Sequence, residues 1–157
     1  MKGKFKFGFG PTFQFPTASR VELGSGKVSV GPAAVGLYSS NKFSAGMLTQ
    51  SWFSVAGPSD RKDVSKSTFQ YFLFYNFTPQ WGIGTAPIVS VNWNADDDDD
   101  KLAFPVGLGV THTFKFGKYP ARLFLEGQYY AIRRDSYGPE WNIRLALGVF
   151  LPPLFGK

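Results

Sequence analysis

The sequence predicts an all-β fold: one antiparallel up-and-down transmembrane β-barrel of eight strands. Three observations predict it. Segments of strand composition recur along the whole chain, the gaps between them alternate long and short, and within each segment large apolar residues take one parity while glycines and charges take the other. The 157 residues suit a single domain, taken as 1–157. Aromatic content is 18%, with 17 Phe, 18 Gly and 11 Pro, which favours many short strands over helices. No run of apolar residues is long enough for a membrane-spanning helix, a fact that leaves barrel strands open because they are short and only half apolar.

The strands are expected at 4–15, 28–38, 43–55, 67–77, 81–93, 102–116, 121–132 and 141–151. Such lengths exceed those of most soluble strands and suit tilted strands that cross a bilayer. The gaps at 16–27, 56–66, 94–101 and 133–140 are long, and those at 39–42, 78–80 and 117–120 are short. Outer-membrane barrels carry long outer loops and short periplasmic turns, so an even strand number puts both ends of the chain on the short-turn side.

Successive strand residues face opposite sides. In the first strand Phe5, Phe7, Phe9, Phe13 and Phe15 oppose Lys4, Lys6, Gly8, Gly10, Thr12 and Gln14. The sixth sets Leu102, Phe104, Val106, Leu108 and Val110 against Ala103, Gly107, Gly109 and Thr111, and the eighth sets Trp141, Ile143, Leu145 and Leu147 against Asn142, Arg144 and Gly148. The strand charges Lys4, Lys6, Lys115, Arg122, Glu126 and Arg144 all share the glycine parity. Glycine fits the crowded interior of a narrow barrel, so that face is read as interior. The apolar face then points outward, where only lipid or a partner can cover it. The third strand has weak contrast, with Thr49 and Ser51 outward and Leu48 and Trp52 inward, and Phe72 and Phe74 also fall inward.

Outward aromatics gather at the strand ends. Trp93, Phe104 and Trp141 lie toward the long loops and Trp81 and Phe114 toward the short turns, with Val30, Met47, Leu73, Val89, Leu108, Leu125 and Leu145 between. This is the arrangement of two aromatic girdles around an aliphatic belt, interrupted by Phe7 and Phe9. Every acidic residue except Glu126 lies in a long gap. Pro11, Pro32, Pro87 and Pro105 fall within strands, where each removes a ladder donor, and Pro87, being central, predicts a bulge.

Several runs carry a family resemblance: Gly10-Pro11 with Phe13-Gln14-Phe15-Pro16-Thr17, Ser59-Asp60-Arg61-Lys62-Asp63-Val64, and Ala86-Pro87-Ile88-Val89 leading to Asn92-Trp93. Pro105-Val106-Gly107-Leu108-Gly109-Val110, Phe114-Lys115-Phe116-Gly117-Lys118 and Gly138-Pro139-Glu140-Trp141 with Arg144 continue it in order. Together these resemble the outer-membrane family labelled putative MetA pathway of phenol degradation, also described as neuromedin U-like or transporter-like. The resemblance implies an outer-membrane barrel linked to transport of small aromatic or apolar compounds. Members of that family are usually longer, with strands upstream, so the resemblance implies either its C-terminal eight-strand portion or a shortened barrel.

No enzymatic chemistry is expected. His112 is the sole histidine, faces outward near the short turns, and has no Ser or Asp placed to work with it. One His and no Cys argue against zinc. Asp96 to Asp100 could hold calcium, but adjacent like charges without a turn glycine read better as a solvated loop. No cofactor and no metal site is expected. The net charge of +6 forms no basic stripe, so nucleic acid is not an expected partner; lipid or detergent is, with the protein a monomer. Inside the barrel, Arg122, Glu126 and Arg144 are expected to form an ion-pair cluster with Gln128 and Asn142 beside them. Met1-Lys2-Gly3-Lys4 leads directly into alternating Phe with no signal peptide, so an exported protein would be represented here as a mature chain, a fragment or an artificial sequence. Two alternatives remain open: a soluble β-barrel holding an apolar ligand, and a designed or shortened barrel with no function beyond folding and insertion.

Overall fold

The computed structural model describes residues 4–18, 24–134 and 138–150. Its elements are β1 (Lys4–Gln14), β2 (Val28–Ser39), β3 (Phe43–Ala56), β4 (Ser65–Asn76), β5 (Trp81–Thr85), β6 (Ile88–Asn92), a single 3-10 turn (Asp98–Asp100), β7 (Leu102–Phe116), β8 (Tyr119–Ile132) and β9 (Trp141–Val149). All pair antiparallel in one sheet, in the order β1-β2-β3-β4-β5-β7-β8-β9, with β6 also lying between β4 and β7. The expected segments reappear within a few residues, and residue 151 of the last lies outside the described residues.

Among the described residues nine strands stand where eight were expected, because the segment 81–93 is broken. β5 and β6 share the same neighbours and the same register: Leu73↔Thr85 and Gln70↔Ile88 belong to one continuous alignment with β4. The break spans Ala86 and Pro87, where the proline has no N–H to give the ladder. Pro105 also marks an irregularity, a register shift between Phe104 and Pro105 against β8. Pro11 and Pro32 face each other across β1 and β2, and the β2–β3 ladder skips Gly31 and Pro32.

The sheet curls into a barrel. Side chains of β8 cross the interior to β4 and β5: Phe124 meets Phe74 edge-to-face at 5.2 Å between ring centres, and Glu126 reaches Thr85. Tyr71 donates to the Pro105 carbonyl, tying β4 to β7. The strand path ends on β1 and β9, and among the described residues no register joins those two edges.

The two faces are inverted relative to a soluble protein. Along β8, Glu126 is 0% exposed while its neighbour Leu125 is 51% exposed. Gln128 and Thr111 are buried, whereas Leu108, Ile143, Leu145 and Leu147 are all exposed. One outward ladder row runs across neighbouring strands from Leu145 through Leu125, Val110, Ile83 and Tyr75 to Phe43, each paired with the next and each exposed. The matching inward row runs Arg144, Glu126, Gly109, Gly84, Phe74. Glycine is needed there by contact: a Cβ on Gly84 would lie 2.1 Å from Phe74 Cδ1, and one on Gly109 would lie 2.7 Å from Phe124 Cε2. The inward aromatics of β4 and β8 therefore occupy the space that glycines on β5 and β7 leave.

Two outward positions depart from the pattern. Val89, expected in the exposed belt, is covered, while Ile88 beside the break is exposed. The polar residues of the third strand have a local partner: Ser51 and Ser67 hydroxyls meet at 2.8 Å, and the Trp93 indole donates to Ser67 Oγ at 3.0 Å, leaving Ser67 buried.

Candidate functional site

The barrel interior is organised around the peptide group that the β5–β6 break strands. Ala86 lies between the two strands with its N–H and C=O outside the ladder. Buried backbone groups without partners are costly, so side chains must serve them. Glu126 Oε1 accepts from the Ala86 N–H at 2.8 Å and from the Thr85 hydroxyl at 2.9 Å. Its other oxygen accepts from Gln128 Nε2 at 2.7 Å. On the opposite side the Ala86 carbonyl accepts from Arg144 at 2.7 Å and from Gln70 Nε2 at 3.1 Å. The carboxylate rests over Gly107, where an added Cβ would come within 3.0 Å of Glu126 Oε1.

This corrects the expected ion-pair cluster. Glu126 and Arg144 are register partners on β8 and β9, yet among the described residues no ion pair joins Glu126 to Arg144 or Arg122. The break offers an N–H to the carboxylate and a C=O to the guanidinium, so the two charges clasp one residue from either side. Arg122 sits apart toward the short turns, its Nε donating to Thr113 Oγ1 at 3.3 Å beside a cavity of about 450 Å³ that Lys42 and Asn76 also line. Gln128 belongs to the cluster, whereas Asn142 turns its amide to the Tyr130 hydroxyl at 3.3 Å. Gln128, Asn142, Tyr130 and Arg144 line a further cavity of about 430 Å³ near the β9 edge.

Of the expected girdle residues, Trp81, Trp93 and Trp141 are exposed, and Phe104 and Phe114 are half-buried. At the short-turn end His112 lies between Trp81, 4.2 Å away between ring centres, and Phe114, 5.9 Å away and stacked.

The loop-side end carries the polar residues that the strand boundaries obscured. Lys66 lies within β4, one ladder step from the residue where strand composition starts, and its ammonium stands 5.2 Å over the Trp52 ring. Arg134, just beyond β8, donates to Ser90 Oγ at 3.1 Å. The alternation of β4 extended by one turn of the pleat would have placed Lys66 inward with Trp52, its register partner. Above this mouth the loops are pinned by charge. Lys27 is buried and pairs with Asp63 at 3.1 Å, and Ser54 donates to the same oxygen at 3.0 Å. The Lys27 hydrogen bond, then that of Ser54, holds the Asp63 carboxyl below the usual aspartate range. Asp96 pairs with Lys62 and Asp98 with Lys101, which likewise lowers the Asp98 carboxyl. The aspartate run is thus drawn toward separate lysines, and no cluster of three metal-ligating side chains occurs among the described residues.

No family model, curated protein or solved structure matches the chain.

Proposed function

We propose that the chain is a transmembrane β-barrel of the bacterial outer-membrane type, serving as a membrane-embedded scaffold or narrow channel. In this reading β5 and β6 count as one interrupted strand, and β1 meets β9 to close an eight-stranded wall. The observation that carries it is the exposed row Leu145–Leu125–Val110–Ile83–Tyr75–Phe43 standing back to back with a buried carboxylate. Water does not tolerate an apolar surface of that extent, while a bilayer core covers it at no cost. The unbroken strands hold between 9 and 15 residues, enough to cross a hydrocarbon core at a tilt. A soluble barrel with an apolar ligand is disfavoured, because the interior is filled by Glu126, Gln128, Arg144 and packed rings rather than by an apolar cavity. Transport of small aromatic or apolar compounds is what the family resemblance adds.

Refolding into detergent micelles tests the reading. The expected result is β-type circular dichroism with a gel band that shifts on boiling, followed by small or no conductance in planar bilayers. A chain that folds in plain buffer and shows no heat-modifiable band would overturn it.

A further inference from the structure

We propose that the short-turn end of the barrel docks on anionic phospholipid headgroups through the exposed lysines that ring it. The inference names a lipid partner for the barrel proposed above and rests on that membrane reading.

Charge divides the molecule by its ends. Of the 11 acidic residues, all but the buried Glu126 fall in the long connections 15–27, 57–64, 93–101 and 133–140. The short-turn end carries Lys4 and Lys6 at the start of β1, Lys42 between β2 and β3, and Lys115 and Lys118 where β7 turns into β8, all of them exposed. Among the described residues no ion pair engages any of these lysines. The sequence puts no acidic side chain in 1–3 or 151–157 either, so none reaches this end from those segments. The opposite end mixes both signs, and there Lys27, Lys62 and Lys101 are paired with Asp63, Asp96 and Asp98.

These cations stand where the apolar belt stops. Phe5, Phe43, Phe77, Trp81 and Phe116 are exposed at the same end, with Phe43 directly after Lys42 and Phe116 directly after Lys115. Aromatic rings at the edge of an apolar belt sit at headgroup level, which puts the neighbouring ammonium groups among lipid phosphates. Lysine stems are long enough to lie along apolar surface while the charge stays at the interface. Lys118 already rests in this way, its ammonium 5.5 Å over the Tyr119 ring. A zwitterionic headgroup carries its own cation beside the phosphate, so net attraction needs a headgroup with an uncompensated negative charge. A ring of like charges repels itself, and a fluid lipid layer relieves that by supplying mobile anions to each lysine in turn.

Position-resolved quenching in bilayers tests this. The chain has no cysteine, so one fluorophore can be placed at Gln80→Cys, in the β4–β5 turn, or at Val55→Cys, near the long-loop end; both residues are exposed. Each labelled protein is refolded into phosphatidylcholine vesicles with about one-fifth phosphatidylglycerol, and quenching by spin-labelled phosphatidylglycerol is compared with that by spin-labelled phosphatidylcholine. At Gln80→Cys the anionic lipid is expected to quench at least about threefold more strongly at low salt, and the preference should fade near ~1 M salt. At Val55→Cys no preference is expected. Lys42→Gln, Lys115→Gln and Lys118→Gln together should abolish the preference, whereas Lys62→Gln with Lys101→Gln should leave it. Should the triple variant fail to fold, the salt dependence and the two label positions still decide. Equal preference at both labels would reduce the effect to the net charge of +6 and overturn the docking end. Quenching by both lipids without preference overturns the lipid partner alone, and a preference that soluble glycerol phosphate removes at constant ionic strength replaces the lipid by a free phosphate ester. No quenching by either lipid overturns the membrane reading, and the docking end falls with it.

Discussion

Replacing Glu126 with alanine tests whether the broken fifth strand is held by the carboxylate. The side chain is fully buried and takes three hydrogen bonds of 2.7–2.9 Å, from the Ala86 amide, the Thr85 hydroxyl and the Gln128 amide. A buried donor left without a partner costs about 1–3 kcal/mol, less where water can enter. Thr85 can rotate its hydroxyl and Gln128 can turn its amide, so both fall near the lower limit, while the Ala86 N–H is fixed in the backbone and falls higher. The sum is a destabilisation of about 3–5 kcal/mol. With a urea dependence of about 2 kcal/mol per molar, the unfolding midpoint should fall by roughly 1.5–2.5 M. The assay is urea unfolding in micelles, read by tryptophan emission and by the fraction of heat-modifiable band. Glu126→Gln separates shape from charge. Its oxygen can still accept from Ala86 and Thr85, and a turned Gln128 can accept from its new NH₂, so the loss should be about 1–2 kcal/mol. An alanine variant with a midpoint indistinguishable from the parent would refute the argument. A glutamine variant as unstable as the alanine one would refute its hydrogen-bond part and leave charge as the cause.

Two further outcomes follow from contacts elsewhere. Gly84→Ala should lower stability by about 1–3 kcal/mol, since the new Cβ would lie 2.1 Å from Phe74 Cδ1 and 2.6 Å from the Leu73 carbonyl, whereas Gly10→Ala, with no atom within 4 Å of its Cβ, should be neutral or slightly stabilising; paired urea titrations check this. Asp63 is held below the usual aspartate range by Lys27 and Ser54, so its contribution is present above the unfolded value near 3.8 and is lost as pH falls through the lower folded value. Carboxyl-carbon NMR should therefore show Asp63 titrating below 3.8, and Lys27→Met should move that midpoint upward; no movement would mean that the ion pair does not hold the loop in solution.

Side-chain parity made the inverted faces legible before any coordinates, because a period of two assigns a whole strand once one residue is assigned. Charges and glycines on one parity favoured that face as the interior, and the buried Glu126 beside the exposed Leu125 agrees with it, whereas Lys4, Lys6 and Lys115 are exposed. Pro87 was expected to make a bulge; it interrupts the ladder instead, with no shift of register, for an equally local reason, the absence of an N–H. The partners inside the barrel were not legible. Opposite charges at facing register positions suggest an ion pair, but the sequence does not display the backbone groups that a break exposes. Those groups lie within reach and outcompete Arg144 for Glu126. Lys66 was missed because strand composition fades at Ser65, although the strand continues through it. Arg134 follows a strand end, where its direction depends on a loop rather than on parity.

The break and the buried charges explain each other. A chain with Pro87 in a barrel wall cannot continue the ladder there, and the freed Ala86 groups are buried in the interior. An N–H and a C=O on one residue call for an acceptor and a donor on opposite sides. Neighbouring strands supply them at facing positions, Glu126 on β8 and Arg144 on β9. Gly107 and Gly109 on the intervening β7 are then required, since any larger residue would occupy the path of the carboxylate or of Phe124. This central girder is fully committed to structure: each of its hydrogen-bonding groups on Glu126 and Ala86 has a partner, so it has little capacity left for a solute. In the channel reading proposed above, selectivity would lie at the ends, where Arg122 lines one cavity and Lys66 the other.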